Sequence, residues 1–499
     1  MKQIKLIIIC LLIFSCNNSN ETKEKERKAS NTFTDFTKVV DGYAEAILQN
    51  GNVNSFALAV YKNGEAYHNY YGEIDKNTID INDSLLFEIA SITKTFTGSL
   101  VAKAVLDGKI NLDDDIRKYL VGAYSNLEFE GHPITIKNLL THSLGLKHKT
   151  PKRLEAFNEK INKGIYTKET DSYTIKDLLK ELETVEVDKT PGTVFAYNSV
   201  GPELLAYILE TVNKESFQSQ IEKFLTEVGM HNTYLQDSEK HKKRLVKGYR
   251  NGKLANMDFC PLYGAAGGAI ATLPDLAIYM QYLITHKNEP WVKEASRSLF
   301  VDLEDDENIG YLWQNIGFAD EEGYFYSKTG TSNGIQSGVL ICPDSNYGIV
   351  LIVNNVSDAA FNDWATLFFN NIEPDLIKYP KLNLFSTLKA KFIKDPKDAF
   401  SEYRMLKKDT ATYFTNSSSI NNFGYKLLQS GQKKKAIVIF KLITEEFPEN
   451  ANAYDSLGEA YFVSEDYDNA LLNYKKSLTL NPNNDNAKKY INKIEQLSL

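Results

Sequence analysis

The 499 residues are more than a single hydrophobic core usually holds, so the length predicts about two or three domains. Hydrophobic residues make up 42% of the chain and charged residues 24%, which is typical of a soluble globular protein. The formal net charge of −8 argues against a nucleic-acid partner, because binding phosphate needs a basic surface. The 7 histidines do not pair with Cys, Asp or Glu at metal-ligand spacing, so we expect no metal and no other cofactor.

The N-terminus carries the pattern of an export signal. Its apolar run, 6–14, is too short to span a bilayer as a helix and fits the apolar core of a signal peptide over 1–15. The run ends in an Ile-Phe-Ser-Cys sequence that resembles a bacterial lipobox, so we expect a lipid on Cys16 and a flexible polar tether over 16–32. The sequence therefore predicts a lipid anchor in the bacterial cell envelope, facing the periplasm or the exterior. Plain secretion with cleavage near Ser15 is the alternative.

The first predicted folded element is a β-hairpin. The β-prone runs 56–61 and 66–71 are joined around Asn63-Gly64, a dipeptide that favours a two-residue hairpin turn. A helix is predicted from about Ser91, and it ends near Gly108.

Helices and loops dominate the next stretch, 115–285, and strand character returns near the end of the same domain. The three predicted strands are 325–329, 337–341 and 348–354. Strands at both ends with helices between them indicate one α+β domain over 33–375, with a sheet built from N- and C-terminal pieces.

The C-terminal part contains an internal repeat. Residues 420–451 and 454–485 match each other at the 34-residue period of tetratricopeptide repeats. With a capping helix over 486–499, they predict an all-α domain over 420–499. The repeats could bind a protein partner or have only a structural role. A helical linker is predicted over 376–419, with a break at Pro396.

The first candidate for chemistry is Ser91-Ile92-Thr93-Lys94. On a helix, residues three apart share a face, so Lys94 can accept the proton of the Ser91 hydroxyl, which is a poor nucleophile by itself. A lysine is neutral near pH 7 only if it is desolvated or faces another cation. The N-terminal end of the helix also presents backbone N–H groups to a developing oxyanion.

Two further motifs could complete such a site. Lys328-Thr329-Gly330 is the only Lys-Thr-Gly in the chain and stands at the end of a predicted strand, where lysine can attract a substrate carboxylate and glycine lets a substrate backbone approach. In Tyr197-Asn198-Ser199, a phenol held between two lysine cations could act as a phenolate base.

The order of these motifs resembles class C β-lactamases, DD-peptidases and related esterases, which form the serine β-lactamase and penicillin-binding-protein family. The likeness covers most of residues 50–360. Three further segments resemble family patterns: 139–146, 228–233 and 266–277. The resemblance implies a β-lactamase/transpeptidase-like α+β fold, with an antiparallel sheet flanked by helices and a helical region, here followed by the helical repeats.

The resemblance also implies roles for individual residues. Ser91 would be the acylated nucleophile, Lys94 the residue that activates it, and Tyr197 the general base and acid. Lys328, Thr329 and Gly330 would position the substrate and its carboxylate. The backbone N–H groups of Ser91 and Thr331 would form the oxyanion hole. His142 would be a structural residue.

One position departs from the family pattern. The family has Asn as the third residue of the Tyr motif, where it contacts the substrate amide, and this chain has Ser199 there. Asn198 stands one place early, and a shift of one residue turns a side chain to another face, so we do not expect it to substitute. Recognition of the amide through Ser199, directly or through a water, is therefore open.

Several functions stay open. The sequence favours an acyl-enzyme hydrolase acting on D-alanyl peptides or related amides, with an esterase or a class C-like β-lactamase as alternatives. A non-catalytic lipoprotein scaffold that recruits partners through its repeats is the alternative from another class. A literal Gly-x-Ser-x-Gly motif over 330–334 is excluded as a nucleophile elbow, because a strand follows it and no histidine lies beyond His286.

Overall fold

The structure is a computed structural model that describes residues 18–74, 82–162, 173–236, 240–256, 262–302, 307–319 and 323–497. Cys16 and the predicted signal peptide lie outside these residues, and the segment predicted as a flexible tether, 16–32, is helical from Asn18 onward. Within the described ranges, no helix is both long enough and apolar enough to cross a bilayer. The chain divides into two compact units, Tyr43–Ile377 and a second unit that joins Met1–Gly42 to Lys378–Leu499.

The helices of the described residues run along the whole chain. They are α1 (Asn18–Leu48), α2 (Thr93–Leu106), α3 (Ile136–Leu140), α4 (Lys152–Asn162), α5 (Ile175–Leu182), α6 (Val200–Asn213), α7 (Phe217–Glu227), α8 (Leu273–Thr285), α9 (Pro290–Ala295), α10 (Asp358–Ala365), α11 (Glu373–Lys378), α12 (Leu384–Lys394), α13 (Pro396–Leu406), α14 (Ser417–Gln429), α15 (Lys433–Glu446), α16 (Ala451–Val463), α17 (Tyr467–Leu480) and α18 (Asp485–Leu497). Short 3₁₀ helices cover Ala90–Ile92 and Ile116–Lys118, and a π-helical turn covers Thr366–Ile372.

The strands fall mainly in the Tyr43–Ile377 unit. They are β1 (Ser55–Lys62), β2 (Glu65–Gly72), β3 (Phe87–Glu88), β4 (Glu128–Phe129), β5 (His132–Pro133), β6 (Thr233–Leu235), β7 (Tyr249–Arg250), β8 (Lys253–Leu254), β9 (Ala269–Ala271), β10 (Phe300–Asp302), β11 (Glu307–Ile309), β12 (Gln314–Ala319), β13 (Gly323–Thr331), β14 (Gln336–Cys342), β15 (Tyr347–Val353), β16 (Asn355–Val356), β17 (Leu382–Asn383) and β18 (Tyr413–Phe414).

A six-stranded antiparallel sheet forms the frame of this unit, in the order β12-β13-β14-β15-β1-β2. The predicted hairpin is β1–β2, and both turn residues have positive φ, 52° at Asn63 and 96° at Gly64, as such a turn needs. β1 pairs with β15, so the sheet joins N- and C-terminal pieces as predicted. The α+β fold class is confirmed.

The centre of the sheet is apolar on both faces because both faces are covered. β1, β14 and β15 are buried along their whole length. On one face Trp364 of α10 lies against Gly338, and on the other Met280 of α8 lies against Gly348. Continuous apolar strands of this kind are typical of a sheet packed between two layers.

The second unit is helical. Helix pairs α14–α15 and α16–α17 occupy the two segments predicted as repeats, with Phe440 packed on Gly424 and Tyr474 on Gly458. α18 lies in the segment predicted as a capping helix. Within the segment predicted as a linker, α12 ends at Lys394, two residues before Pro396, and α13 begins at Pro396. The side chains of α12 and α13 share one hydrophobic core with the repeats.

Candidate active site

Ser91 lies in a short 3₁₀ turn at the start of α2, rather than inside the helix itself. β3 leads into this turn and is held by β9. Ala90 has a φ of 44°, a left-handed conformation that is strained for a residue with a Cβ. The strained turn leaves Ser91 half-buried while its neighbours Ala90 and Ile92 are buried.

Lys94 follows one turn later and its side chain is 1% exposed. Its Nζ donates a hydrogen bond to Ser91 Oγ at 3.1 Å and another to the carbonyl oxygen of Ala266 at 2.5 Å. The predicted juxtaposition of Ser91 and Lys94 is therefore present, with a backbone carbonyl fixing the ammonium group.

Tyr197 stands just before α6 and completes a triangle with these two residues. Its hydroxyl lies 2.8 Å from Ser91 Oγ, and the Nζ atoms of Lys94 and Lys328 lie 5.0 and 4.7 Å from its ring centroid. Burial works to raise the pKa of Tyr197, but the charges of Lys94 and Lys328, with hydrogen bonds from Ser91 and Lys94, lower it to about 7. A phenolate is thus accessible near neutral pH.

Lys328 is buried on β13 and bridges the site to the neighbouring strand. Its Nζ donates to the Tyr197 hydroxyl at 3.3 Å and to Oε1 of Gln314 at 2.5 Å. Gln314, on β12, did not stand out in the sequence, because nothing in its local pattern distinguishes it from a surface glutamine.

Strand β13 passes directly against the Ser91 turn. A Cβ on Gly330 would lie 2.3 Å from the Ile89 carbonyl oxygen and 3.0 Å from Ser91 N, so only glycine fits there. Thr329 and Thr331 alternate with Gly330 and are exposed. β12 lies beside β13 only as far as Ser327, so within the described residues the β12 side of 329–331 has no strand partner.

The Tyr motif has its asparagine engaged elsewhere. Asn198 is buried, donates to the Ala196 carbonyl at 2.9 Å and accepts from Gly201 N at 2.9 Å. Ser199 is exposed at the N-cap of α6 and makes no side-chain cap hydrogen bond. Asn198 is therefore committed to its own backbone, and Ser199 is the member of this pair that remains accessible.

His142 packs behind the phenol. Its ring centroid lies 4.5 Å from that of Tyr197, and its Nδ1 accepts from Asn198 N at 3.4 Å. Burial, and then the charges of Lys94 and Lys328, hold its pKa well below 6.5. A neutral His142 adds no third positive charge beside Tyr197.

Ser332 has no place in this group. Its hydroxyl is buried, donates to Glu88 Oε2 at 2.9 Å and accepts from Ile335 N at 3.1 Å. These contacts hold the turn between β13 and β14, which is a structural use of the hydroxyl.

A buried carboxyl group, which the sequence did not reveal, holds the loop next to Lys94. Glu203 of α6 is 4% exposed and accepts hydrogen bonds from Tyr263 N at 2.8 Å and Ala266 N at 3.0 Å. Burial raises its pKa to about 7, although these N–H groups and the charge of Lys94 favour the ionised form. Glu203 thus fixes the loop whose Ala266 carbonyl holds Lys94. The only signal in the sequence is a charged residue in the apolar stretch 200–209.

We expect the Glu203→Gln variant to react with acylating substrates roughly tenfold more slowly, because an amide cannot accept both N–H groups and one buried donor loses its partner. Glu210→Gln is the matched control. Glu210 lies on the same helix and accepts a hydrogen bond from the Tyr263 hydroxyl, but it makes no hydrogen bond to Ala266. Acylation rates and thermal midpoints of both variants are compared. Equal slowing in the two variants would remove any special role of Glu203 at Lys94.

Comparison with protein families places the whole site within one matched domain. The family model described as Beta-lactamase matches residues 40–368, which is more than half of the chain and contains every residue of the site described above. The chain belongs to the Beta-lactamase family. A tetratricopeptide-repeat model matches residues 451–484, which correspond to α16 and α17.

Relatives of this Beta-lactamase domain are distant in sequence. Protein flp of Staphylococcus aureus (strain MRSA252) is 25% identical over 330 residues, which are 64% of this chain and 63% of that protein. The chain therefore spans less than two thirds of the length of the first curated relatives it matches. The D-alanyl-D-alanine-carboxypeptidase/endopeptidase AmpH of Escherichia coli (strain K12) is 24% identical over 359 residues, 67% of this chain and 89% of AmpH.

Solved structures share the Beta-lactamase fold. A beta-lactamase/D-alanine carboxypeptidase from Yersinia pestis superposes with a TM-score of 0.57 at 23% identity, covering 69% of this chain and 99% of that one. A penicillin-binding protein homologue from Pyrococcus abyssi gives a TM-score of 0.56 at 23% identity, covering 66% of this chain and 76% of that one. At this level of identity the likeness shows the fold.

Proposed function

We propose that the chain is a serine hydrolase that forms an acyl-enzyme on Ser91 and acts on D-alanyl peptides or related amides. The observation that carries the proposal is the position of the Tyr197 hydroxyl, 2.8 Å from Ser91 Oγ and between two lysines. A hydroxyl becomes a competent nucleophile when a positioned base takes its proton. A phenol with a pKa of about 7 can do so at neutral pH.

The proposed reaction has two stages. Ser91 Oγ attacks the acyl carbonyl, and its proton passes to Tyr197, which Lys94 and Lys328 keep acidic. The backbone N–H groups of Ser91 and Thr331 stabilise the oxyanion. The C–N bond then breaks, the leaving amine takes the proton, and water later hydrolyses the Ser91 ester through the same base.

The choice of D-alanyl peptides rests on the β13 strand. Lys328 and Thr329 would attract the terminal carboxylate, and the open side of 329–331 would pair with the substrate backbone. Many esterase-like members of the family carry His-x-Gly where this chain has Lys-Thr-Gly. AmpH is named as a D-alanyl-D-alanine-carboxypeptidase and the Yersinia pestis protein as a D-alanine carboxypeptidase, which supports the same substrate class.

The test is covalent labelling of the full chain. The protein is incubated with a fluorescent penicillin, with D-Ala-D-Ala peptides and with short acyl esters, and any adduct is mapped by mass spectrometry. A long-lived adduct on Ser91 with peptide hydrolysis supports the proposal. Rapid turnover of the penicillin would indicate a β-lactamase, and ester turnover without labelling an esterase. If Ser91 is not labelled and no substrate is hydrolysed, the result would favour a non-catalytic scaffold that recruits partners through its repeats.

The anchor is part of the proposal. A lipid on Cys16 would hold the enzyme at the bacterial envelope, where peptides of this class are found. We expect Cys16→Ala to move the protein from the membrane to the soluble fraction of cells, while the specific activity of the hydrolase stays near normal. Fractionation and labelling of both forms check this. A variant that still sediments with membranes would assign the anchor elsewhere.

A further inference from the structure

A cavity of about 600 Å³ lies beside the turn that follows β13. The β7–β8 hairpin supplies most of its wall. The described residues that line it are Arg250, Asn251, Lys253, Leu254, Ala255, Asn256 and Asn333. The proposed reaction uses none of these side chains.

The wall of the cavity is positively charged in a chain whose net charge is −8. Arg250 and Lys253 are cationic, three lining residues are asparagines, and none of the lining residues described is acidic. In the part of the chain that the structure describes, neither cation forms an ion pair with a carboxylate. A cationic pocket with additional amide donors favours an anionic group.

Arg250 is fixed rather than loosely exposed. Its Nε donates to the Asn333 carbonyl oxygen at 2.8 Å, and its Nη2 donates to the Ser332 carbonyl oxygen at 3.1 Å. A guanidinium has five N–H donors, so these two bonds orient the group and leave donors for a ligand. The oriented guanidinium is suited to a carboxylate, which it can bind through two parallel hydrogen bonds.

The hairpin is joined tightly to the end of the substrate strand. Tyr249 N donates to the Gly334 carbonyl oxygen at 3.0 Å. Gly248 and Gly334 are in such close contact that a Cβ on either would lie within 2.6 Å of the other's backbone. These contacts join the wall of the cavity directly to the turn that follows Thr331.

The order of roles along β13 says which part of a substrate reaches the cavity. In the proposed function, Lys328 and Thr329 attract the carboxylate of the leaving group, and the N–H of Thr331 faces the scissile carbonyl. Beyond Thr331 the chain leaves the strand and enters the turn before β14, whose Asn333 lines the cavity. This turn therefore lies on the acyl side of the substrate, near the residue that precedes the one acylating Ser91.

We propose that this cavity binds a carboxylate carried by the acyl portion of the substrate, one residue before the acylating residue, through Arg250 and Lys253. The inference rests on the proposed function and names its substrate class more narrowly: acidic acyl-D-alanyl peptides. Lys253 is the discriminating residue, because Arg250 also holds the turn that follows Thr331.

The experiment compares two isosteric peptides, acetyl-Glu-D-Ala-D-Ala and acetyl-Gln-D-Ala-D-Ala, on the full chain. We expect the ratio of their kcat/KM values to favour the glutamyl peptide by roughly tenfold. Lys253→Gln should lower this ratio and Lys253→Glu should bring it to one or below, because a carboxylate in the wall repels the ligand. Lys293→Glu, an exposed lysine on α9 that does not line the cavity, is the charge-matched control and should keep the wild-type ratio.

The outcomes separate this inference from the function on which it rests. Equal hydrolysis of both peptides through Ser91, or an unchanged ratio in Lys253→Glu, overturns the inference and leaves the hydrolase intact. Failure of penicillin and of both peptides to acylate Ser91 overturns both. Arg250→Gln should slow the hydrolysis of both peptides, because the turn over 332–334 loses the two hydrogen bonds that Arg250 donates to it.

Discussion

The Ser91→Ala variant is expected to form no acyl-enzyme with any substrate and to lose turnover by a factor on the order of 10⁶. The loss is large because the hydroxyl oxygen is the atom that forms the covalent bond, and neither Lys94 nor Tyr197 can replace it. Substrate binding should survive, since Lys328 and the 329–331 edge are untouched. Labelling with fluorescent penicillin measures the loss of the acyl-enzyme, and the rate of peptide hydrolysis measures the loss of turnover.

Ser332→Ala is the control for this prediction, because Ser332 is the serine of the Gly-x-Ser-x-Gly segment 330–334. We expect it to lower thermal stability, since Glu88 and Ile335 N lose a hydrogen-bond partner. It should nevertheless be labelled on Ser91. An adduct mapped to Ser332, or normal hydrolysis by Ser91→Ala, contradicts the proposed mechanism.

The parts of the fold that follow from local pattern could be predicted from the sequence. The Asn63-Gly64 turn, the apolar strands near the C-terminal end of the hydrolase domain and the break at Pro396 each depend on residues adjacent in the chain. That N- and C-terminal strands share one sheet followed from strands at both ends of one domain, but the specific pairing of β1 with β15 comes from the structure. Such features need no knowledge of distant contacts.

The candidate site was predictable only as a set of motifs. Tyr197 is one of 29 tyrosines, and its own surroundings in the sequence do not distinguish it. Tyr197 became a candidate because the order of Ser91, Tyr197 and Lys328 along the chain resembles that of a known family. The structure then places the three side chains in one hydrogen-bonded group.

The supporting residues could not be predicted because their role depends on tertiary contacts. Glu203 lies 63 positions from Ala266, whose N–H it accepts, and Gln314 contacts Lys328 from the neighbouring strand. The left-handed conformation of Ala90 is equally unmarked, because alanine gives no local preference for positive φ. The turn lies where β3 ends and β13 passes close by, and the sequence around Ala90 shows neither contact.

Tyr197→Phe is expected to slow acylation by about 10²–10⁴-fold, because the ring remains and only the proton acceptor is lost. The pH dependence provides the sharper test. A base works in its deprotonated form, so the wild-type rate should rise with pH through about 7, where Tyr197 ionises. In Tyr197→Phe this rise should be absent. His142 cannot produce it, since its pKa lies well below 6.5.

Lys94→Met extends the same argument from the base to its electrostatic support. Methionine keeps the length of the buried side chain but removes the positive charge that, with Lys328, lowers the pKa of Tyr197. The rise in rate should therefore move to higher pH, in addition to any loss of rate at neutral pH. Acylation rates of the wild type and both variants, measured from pH 5 to 10, decide the matter. If Tyr197→Phe keeps the rise near 7, or if Lys94→Met leaves it in place, the proton acceptor is a group other than this phenol.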